Sequence, residues 1–357
     1  MLGTDRPTHA STTDSYKGQA VNLLVLGSDS RQGDNDVDGS AATETVARSD
    51  TAMIMHVSAD RKRIDVVSIP RDTLVKVPDC KSSDGSTVSG SDSEMFNQAF
   101  ANGAGTGNDE NAIASGAACT IKTVEKLTGV YIDEYVVVDF DGLSNMIDSL
   151  GGVKVYVSED IDDTDYTGLV LKKGCYTMDG ATALKYARVR HGVGDGSDIQ
   201  RIARQQNLMS AMLRTAKEKS LLTNADDLYS FAKSALASLT TSPGIGSLST
   251  LAGLAQSIQD LGMNNVNFVT MPNEAPAWNP NRVVPTDEAD QVWAALKADK
   301  AVPDQTVSVA ADGSTPSAQA TESASAEATT QKAEATTTAS AKASSKATAE
   351  DPAAQCH

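Results

Sequence analysis

The sequence predicts an α/β fold, in which a mixed central β-sheet lies between layers of α-helices, and three observations support this prediction. Residues 20–26 form a continuous apolar run that ends at Gly27, which is typical of a strand buried on both faces. Residues 51–58 and 63–69 are two strand-like runs joined by a polar turn, which indicates an antiparallel hairpin. Further along the chain strands alternate with helices, so the sheet also contains crossover connections.

The remaining elements follow from hydrophobic periodicity and from turn residues. Further strands are predicted at residues 134–138, 153–157, 187–191 and 266–270. Helices are predicted at residues 94–102, 109–127, 141–150, 181–186, 198–219, 225–239, 247–261 and 287–298. The helix at 198–219 has the strongest pattern, because Ile199, Ile202, Met209 and Leu213 recur at helical spacing and Ser197 can cap its N-terminus.

Composition divides the chain into one folded unit with two polar ends. Residues 311–357 contain no Val, Leu, Ile, Met, Phe, Tyr or Trp, and such a segment buries too little apolar surface to offset the entropy of ordering. We therefore expect a disordered linker at residues 1–16, a folded domain at 17–302 and a disordered tail at 303–357. No apolar run approaches the roughly 18 residues of a membrane span, and the polar start is typical of an ectodomain separated from its anchor.

Charge and cysteine content narrow the partners and the compartment. The net charge of −17 and the pI near 4.6 argue against nucleic acid, whose phosphates bind broad basic surfaces. The four cysteines allow three pairings and lack the C-x-x-C spacing of zinc and thioredoxin sites. Buried free thiols are the alternative, but the even count favours disulfides and an extracytoplasmic location. We expect Cys80 to pair with Cys119, which leaves Cys175 for Cys356.

Four arginines lie close together in the stretch YARVRHGVGDGSDIQRIARQQ, which covers residues 186–206: Arg188, Arg190, Arg201 and Arg204. Like charges at this density repel one another unless an anion lies between them. The predicted strand at 187–191 places Arg188 and Arg190 on one face. The predicted helix places Asp198, Arg201 and Gln205 on the face opposite its apolar side chains. A solvated polar helix face is the alternative explanation.

Three short segments with arginine and aspartate fall where predicted strands begin or end. They are GSDSR at 27–31, RSDT at 48–51 and PRDT at 70–73, and α/β sheets usually place their ligands at such strand ends. Ordinary turn chemistry explains any single segment equally well. Guanidinium groups match phosphate oxygens with two parallel hydrogen bonds, and a pair of carboxylates can hold Mg²⁺. Together the segments indicate a phosphate-handling site.

Seven ordered motifs resemble the LytR-CpsA-Psr (LCP) family over about residues 21–215. They are GSDSR, RSDT, IPRDT, FNQAF, VVVDFDGL with DSLGGVKV, YARVRH and SDIQRIARQQ. The resemblance implies an α/β/α sandwich on a membrane anchor, acting as a monomer on the outer face of the membrane. It implies a phosphotransferase that moves a glycopolymer from a polyprenyl-pyrophosphate carrier to peptidoglycan or a surface glycoprotein through a phosphodiester linkage.

The resemblance also assigns roles to individual residues. Its Mg²⁺ (or Mn²⁺) ligands match Asp29 and Asp50, which would act in catalysis with Arg71 and Arg188. Its pyrophosphate-binding residues match Arg48, Arg71, Arg188, Arg190, Arg201 and Gln205. Four further residues lie beside these as supporting partners: Arg31, Asp72, Asp198 and Arg204. Two departures are evident, since Met95 stands where many members have Lys, and the segment 31–48 is long and rich in Asp, Gly and Thr.

Several alternatives remain open from the sequence. A pyrophosphate hydrolase or a non-catalytic carrier-binding module would use the same residues, whereas the acidic charge opposes a DNA-binding regulator. No general base is evident, because His191 is the only histidine in the matching motifs. A polyprenyl chain needs an apolar tunnel, but the ten methionines are more often core residues. An ordinary core explains equally well the apolar positions Ile113, Val124, Val137, Phe140 and Leu143.

Overall fold

The computed structural model describes residues 16–28, 48–107, 109–194, 196–221, 225–303, 307–310 and 356. In chain order the strands are β1 (Val21–Ser28), β2 (Ser49–Val57), β3 (Ile64–Ser68), β4 (Leu74–Val77), β5 (Cys80–Lys81), β6 (Thr87–Val88), β7 (Ser91–Met95), β8 (Glu134–Val138), β9 (Val153–Val157), β10 (Ile161–Asp163), β11 (Leu169–Leu171), β12 (Gly174–Met178), β13 (Leu239–Thr241), β14 (Val266–Thr270), β15 (Asn273–Glu274), β16 (Val284–Pro285) and β17 (Val307–Ala310).

The helices are α1 (Gln98–Ala104), α2 (Glu110–Thr128), α3 (Phe140–Ser149), α4 (Gly180–Arg188), α5 (Asp198–Glu218), α6 (Ala225–Ala237), α7 (Leu248–Ser257) and α8 (Asp287–Lys297). Side chains immediately before five of them cap the first turn, since Asp109, Asp139, Asp179, Ser197 and Ser247 each accept a hydrogen bond from a backbone N–H. Within the described part of the chain, no helix combines the length and the apolar character that crossing a membrane requires.

A seven-stranded mixed sheet forms the centre of the molecule, which confirms the predicted fold class. Its strand order is β13-β8-β1-β2-β3-β14-β17. β1 pairs antiparallel with β2 and parallel with β8, and β3 pairs antiparallel with β2 and parallel with β14. Consequently the C-terminal ends of β1, β3, β8 and β14 meet the N-terminal end of β2 at one edge of the sheet. The RSDT and PRDT segments fall at this edge, as do Gly27 and Ser28, the described part of GSDSR.

The two faces of the sheet are packed differently. On one face, Leu24 and Ile54 join the largest buried cluster, which includes Val124 from α2 and Trp293 from α8. On the other face, helices α3 to α7 cover the sheet, together with a hairpin of β9 and β12 that carries its own buried cluster. The core is therefore divided into two layers, one on each face of the sheet. The helices α4 and α5, which carry Arg188, Arg201 and Arg204, belong to the second layer.

Three of the predicted boundaries are wrong. The helix predicted at 94–102 begins at Gln98, because Met95 pairs with Leu74 and extends β7. The strand predicted at 187–191 does not form in these described residues, because α4 continues to Arg188 with Ala183, Leu184 and Ala187 buried on one face. The segment predicted as a disordered C-terminal tail contributes β17, which pairs with β14 and is the outermost strand on that side of the sheet.

Two disulfides pair all four cysteines. Cys80 in β5 is bonded to Cys119 in α2, 39 residues away, which ties the excursion between β4 and β7 to the helical layer. Cys175 in β12 is bonded to Cys356, 181 residues away. This is the pairing that the sequence analysis expects.

The first disulfide should contribute measurably to stability. In a variant with Cys175→Ser and Cys356→Ser, reduction of the Cys80–Cys119 bond should lower the free energy of unfolding by about 3–4 kcal/mol, because a cross-link between residues 39 apart restricts the unfolded chain. Urea unfolding with and without dithiothreitol measures the change. Adding Cys80→Ser and Cys119→Ser gives the control, which should be insensitive to reductant. An identical midpoint before and after reduction of the first variant would contradict the bond.

Candidate functional site

A cavity of about 900 Å³ lies between the sheet and helices α3 to α7. Its sheet wall consists of apolar side chains from β1, β2 and β8, including Leu23, Val25, Met53 and Val136. Its helical wall consists of apolar side chains from α3 to α7: Leu143, Met146, Leu184, Ala187, Leu208, Met209, Met212, Leu213, Ala216, Leu228, Phe231, Ala232, Ala235, Leu251 and Ala255. The volume lies in the upper range for small-molecule sites.

One end of the cavity is polar and lies at the sheet edge where the strands carry the arginine motifs. All six residues predicted to bind pyrophosphate line this end: Arg48, Arg71, Arg188, Arg190, Arg201 and Gln205. Asp50 and Asp139 are the aspartates that line it with them. Five arginines against two aspartates leave an excess of positive charge in a chain whose net charge is −17. The cavity therefore combines a cationic end with an apolar interior.

Asp50 connects two of these arginines. Its Oδ1 accepts a hydrogen bond of 2.5 Å from Nη1 of Arg71, and its backbone carbonyl accepts one of 2.7 Å from Nη2 of Arg201. Its Oδ2 lies 3.8 Å from Nη1 of Arg201. Asp50 lies at the start of β2, Arg71 follows β3, and Arg201 lies in α5. These contacts therefore hold the helix against the strand ends.

Asp198, in the first turn of α5, is the second carboxylate that contacts Arg71 and Arg201. Its Oδ1 lies 2.5 Å from Nη2 of Arg201, and its Oδ2 accepts a bond of 3.3 Å from the backbone N–H of Arg71. Asp72 is more distant, at 3.9 Å from Nε of Arg71. These two aspartates therefore orient the arginines from outside the cavity.

Burial and opposite charge shift the pKa values of these groups in different directions. Burial alone would raise the pKa of Asp50, but the charges of Arg201 and Arg71 outweigh it and hold that pKa below its usual range. For Asp198 burial dominates, so its pKa is raised despite the same two arginines. Burial likewise lowers the pKa of Arg201, whose side chain is 4% exposed. Asp50 is therefore ionised at neutral pH.

Arg188 and Arg190 are placed by the end of α4 rather than by a strand. The guanidinium carbon of Arg188 lies 4.4 Å above the ring centre of Phe140, which is a cation–π contact. Nη2 of Arg204 donates a hydrogen bond of 2.6 Å to the carbonyl of Val189, between the two arginines. Arg204 thus supports the backbone that carries them, as a supporting partner should.

The comparison with known proteins identifies the family. The sequence matches the model of the LytR_cpsA_psr family over residues 2–298. The chain belongs to this family. It is 30% identical over 269 residues to the cell wall biosynthesis protein LcpA of Corynebacterium glutamicum, covering 71% of this chain and 50% of that protein. It is 29% identical over 214 residues to the "Polyisoprenyl-teichoic acid--peptidoglycan teichoic acid transferase TagT" of Bacillus subtilis, covering 58% and 56%.

A solved structure confirms the fold of this LytR_cpsA_psr protein. The LytR-Csp2A-Psr enzyme from Actinomyces oris superposes with a TM-score of 0.59 at 21% identity, covering 82% of this chain and 93% of that one. The chain spans about half the length of the curated relatives that it matches.

The residues expected to hold a metal are only partly within the described structure. Asp29 and Arg31 lie outside the described residues. Asp50 offers one carboxylate, and its Oδ1 is bonded to Arg71. No cluster of three or more His, Cys, Asp or Glu side chains suited to a metal occurs among the described residues. The described donors alone therefore do not complete a magnesium site.

Several contributors to the site are not evident from sequence reasoning. For Phe140 and Leu143 the sequence leaves core and tunnel open, and both line the cavity, with the Phe140 ring under Arg188. Ile113, Val124 and Val137 pack in the opposite core layer, as an ordinary core predicts. Five methionines line the cavity: Met53, Met55, Met146, Met209 and Met212. Met53 also belongs to a buried core cluster, so lining the cavity and packing the core are not exclusive.

The helix that supplies Arg201 buries polar as well as apolar side chains. Ile202 is 4% exposed, as its place in the apolar pattern predicts, but Ile199 is 37% exposed. Arg201 is 3% exposed and Gln206 is fully buried. Nε2 of Gln206 donates to the hydroxyls of Ser68 at 3.0 Å and Thr270 at 3.3 Å, at the ends of β3 and β14. The buried face of α5 is thus polar where it meets the sheet edge, so it is not a solvated helix face.

Proposed function

We propose that this protein is a phosphotransferase that moves a glycopolymer from a polyprenyl-pyrophosphate carrier to a cell-wall acceptor, peptidoglycan or a wall glycoprotein. The observation that carries the proposal is the single cavity with two kinds of wall. Its cationic end matches a diphosphate, and its apolar interior matches a hydrocarbon chain. The name of the relative TagT, a transferase acting between a polyisoprenyl-linked polymer and peptidoglycan, supports the same assignment.

The arginines have donors to spare for a diphosphate. Among the described residues, buried side-chain atoms without a hydrogen-bond partner include Nε of Arg190 and Arg201, whereas Nε of Arg71 lies 3.5 Å from Oδ1 of Asp198. A buried polar atom without a partner is costly, and a phosphate oxygen would satisfy each Nε–H. Charge-assisted bonds from guanidinium to phosphate are short and strong. The site is therefore arranged for an anion before that anion arrives.

Transfer would proceed by in-line displacement at the phosphorus nearest the sugar. An oxygen of the acceptor hydroxyl forms the new bond to phosphorus, the bond to the bridging oxygen breaks, and polyprenyl phosphate leaves with the electron pair. The acceptor proton passes to solvent, because a loose phosphoryl transition state needs little help from a base. Arg71, Arg188 and Arg190 would neutralise the charge that accumulates on the phosphate oxygens.

Magnesium is part of the proposal, with Asp50 and Asp29 as its ligands. Asp50 is ionised and lies beside the diphosphate end, which suits a hard cation that takes one or two carboxylates plus phosphate oxygens. When bound, the ion would supply additional positive charge to the diphosphate. We also propose an extracytoplasmic location, which the two disulfides support.

Removal of an arginine should reduce transfer without unfolding the protein. Arg188→Ala and Arg71→Ala should each lower the rate of polymer transfer on the order of a hundredfold, because each removes a donor to the reacting phosphate. Arg71→Lys should fall between them and the wild type, since it keeps the charge but loses the planar fork. Arg214→Ala is the control, because Arg214 donates a hydrogen bond to Ser210 within α5 and does not line the cavity. Wild-type rates in both alanine variants would refute the arginine assignment.

Chelation tests the metal proposal. Excess EDTA should reduce transfer at least tenfold, and Mg²⁺ or Mn²⁺ added in excess should restore it. Asp50→Asn should lose most of the response to added metal, because an amide is a weaker ligand than a carboxylate for Mg²⁺. Full activity in excess EDTA would remove Asp50 and Asp29 from a metal role.

The apolar cavity predicts a bound lipid. Protein purified from bacterial membranes should carry polyprenyl phosphate or pyrophosphate, detected by mass spectrometry after solvent extraction. Ala235→Trp places a large ring at a buried cavity position in α6 and should lower the bound lipid at least tenfold. Ala237→Trp, at an exposed position of the same helix, should leave it unchanged. Equal lipid in both variants would contradict a lipid site in this cavity.

A further inference from the structure

Two exposed aromatic rings lie on loops near the arginine end of the cavity. Trp278 is 71% exposed and Tyr166 is 67% exposed, which makes them the most exposed large hydrophobic side chains among the described residues. Single exposed hydrophobics are common on protein surfaces. Contacts of the polypeptide link both rings to segments that carry arginines of the cavity, and the transfer proposed above requires a second substrate at that end.

Trp278 is tied to the segment that carries Arg71. It lies between β15 and β16, five residues before Val283, a chain length that spans at most about 17 Å. Two turns shorten this span, from Asn279 N–H to Pro276 carbonyl at 2.9 Å and from Arg282 N–H to Asn279 carbonyl at 3.1 Å. Val283 in turn accepts a bond of 2.9 Å from the Leu74 N–H. The indole is thus held a short distance from the residues that follow β3.

Tyr166 is tied to the segment that carries Arg190. Its ring stacks on the imidazole of His191, the residue after Arg190, with ring centres 3.8 Å apart. The β10–β11 hairpin that carries Tyr166 contacts the same loop, because the Asp162 N–H donates 3.0 Å to the carbonyl of Gly192. Gly192 has a φ of +62°, and a Cβ there would meet the Asp162 carbonyl at 1.6 Å, so only glycine fits this contact.

The turn that presents Tyr166 is held in one conformation. The carbonyl of Asp163 accepts hydrogen bonds from the N–H groups of Tyr166, Thr167 and Gly168. The carboxylate of Asp163 accepts a further bond of 2.6 Å from the hydroxyl of Thr167. A ring fixed in advance loses little conformational entropy on binding a partner. This rigidity is a property of binding sites rather than of loose surface turns.

The surroundings of the rings suit a carbohydrate rather than a membrane. Asp162 and Asp165 are exposed on the Tyr166 hairpin, and Asn281 is exposed beside Trp278. Carboxylates and amides bond to sugar hydroxyls, while the apolar face of a sugar ring stacks on an aromatic face. Anionic lipid head groups are bound instead by clusters of Lys and Arg. The exposed side chains named here are acidic or neutral, and Lys185, whose Nζ lies near Gly168, is a single cation rather than a cluster.

We infer that Trp278 and the stacked Tyr166–His191 pair form a subsite for the glycan acceptor beside the arginine end of the cavity. The inference rests on the proposed function, because that function requires an acceptor with a free sugar hydroxyl. The rings would hold the acceptor strand so that one hydroxyl lies near the diphosphate. Trp278 and Tyr166 are accordingly positioning residues, and the chemistry stays with the arginines.

Tryptophan fluorescence measures acceptor binding directly, without donor, metal or turnover. The chain contains two tryptophans, and the other, Trp293, is 2% exposed in the core. Acrylamide should therefore quench Trp278 selectively in the wild type. Chitotetraose, or soluble peptidoglycan strands without cross-links, should protect Trp278 from quenching. The Trp278→Phe variant should show no quenchable signal, which assigns the response.

Variants separate a binding role from a structural one. Tyr166→Ala should raise the Kd for chitotetraose at least tenfold and raise the acceptor KM in transfer, with kcat for saturating acceptor unchanged. Tyr166→Phe should retain binding, because the face of the ring makes the contact. Tyr131→Ala is the matched control, since Tyr131 is 48% exposed but precedes β8 at the opposite edge of the sheet.

The outcomes distinguish this inference from the proposed function. Glycan binding that Tyr166→Ala weakens, in a protein that shows no transfer, supports the subsite and refutes the transferase. Normal transfer with no protection of Trp278 by either glycan refutes the subsite alone. Protection by phosphatidylglycerol vesicles but not by glycans also refutes it, since the rings would then contact a membrane. An equal rise of the Kd for chitotetraose in Tyr131→Ala would refute the subsite, since glycan binding would then not depend on the rings beside the arginines.

Discussion

The burial of arginine charge at one edge of the sheet is the constraint on which the site depends. Arg201 is 4% exposed in its side chain, and an unpaired ion in such a position costs several kcal/mol. Two aspartates offset this cost by contacting the guanidinium group of Arg201: Asp50 in β2 and Asp198 in the first turn of α5. These ion pairs therefore join the first turns of α5 to the start of β2, so the contacts that place Arg201 also attach the helix to the sheet.

The same arrangement would suit the diphosphate of the proposed donor. The carboxylate of Asp50 occupies a position against Arg71 that a phosphate oxygen also satisfies. Because five arginines face two aspartates along the cavity, the internal carboxylates neutralise only part of the positive charge. The remainder attracts an anion, and donors fixed in advance need no reorganisation during reaction. In the proposed function, the ion pairs that stabilise this edge of the sheet would also hold the arginines that contact the diphosphate.

Sequence reasoning located this site because strand ends can be recognised from local signals. An apolar run, a hairpin turn and Pro70 define where β1, β2 and β3 begin and end, and sheet geometry then brings Arg48 and Arg71 to one edge. It failed for residues 187–191, since five residues cannot distinguish a strand from the last turn of a helix. It also missed the β10–β11 hairpin, whose strands have three residues each, because its conformation depends on Asp163 rather than on a hydrophobic pattern.

The cavity lies beyond sequence reasoning for a different reason. An apolar residue has the same local pattern whether it fills a core or lines a space, and the volume left between layers depends on tertiary packing. Composition does explain how the space is kept open: alanines such as Ala216, Ala232 and Ala235 leave room, and methionines adapt their shape to a neighbour. Atoms that line such a space lack dispersion partners on one side. A hydrocarbon chain entering it would supply those contacts, so the lipid would serve as part of the second core layer while its diphosphate is held among the arginines.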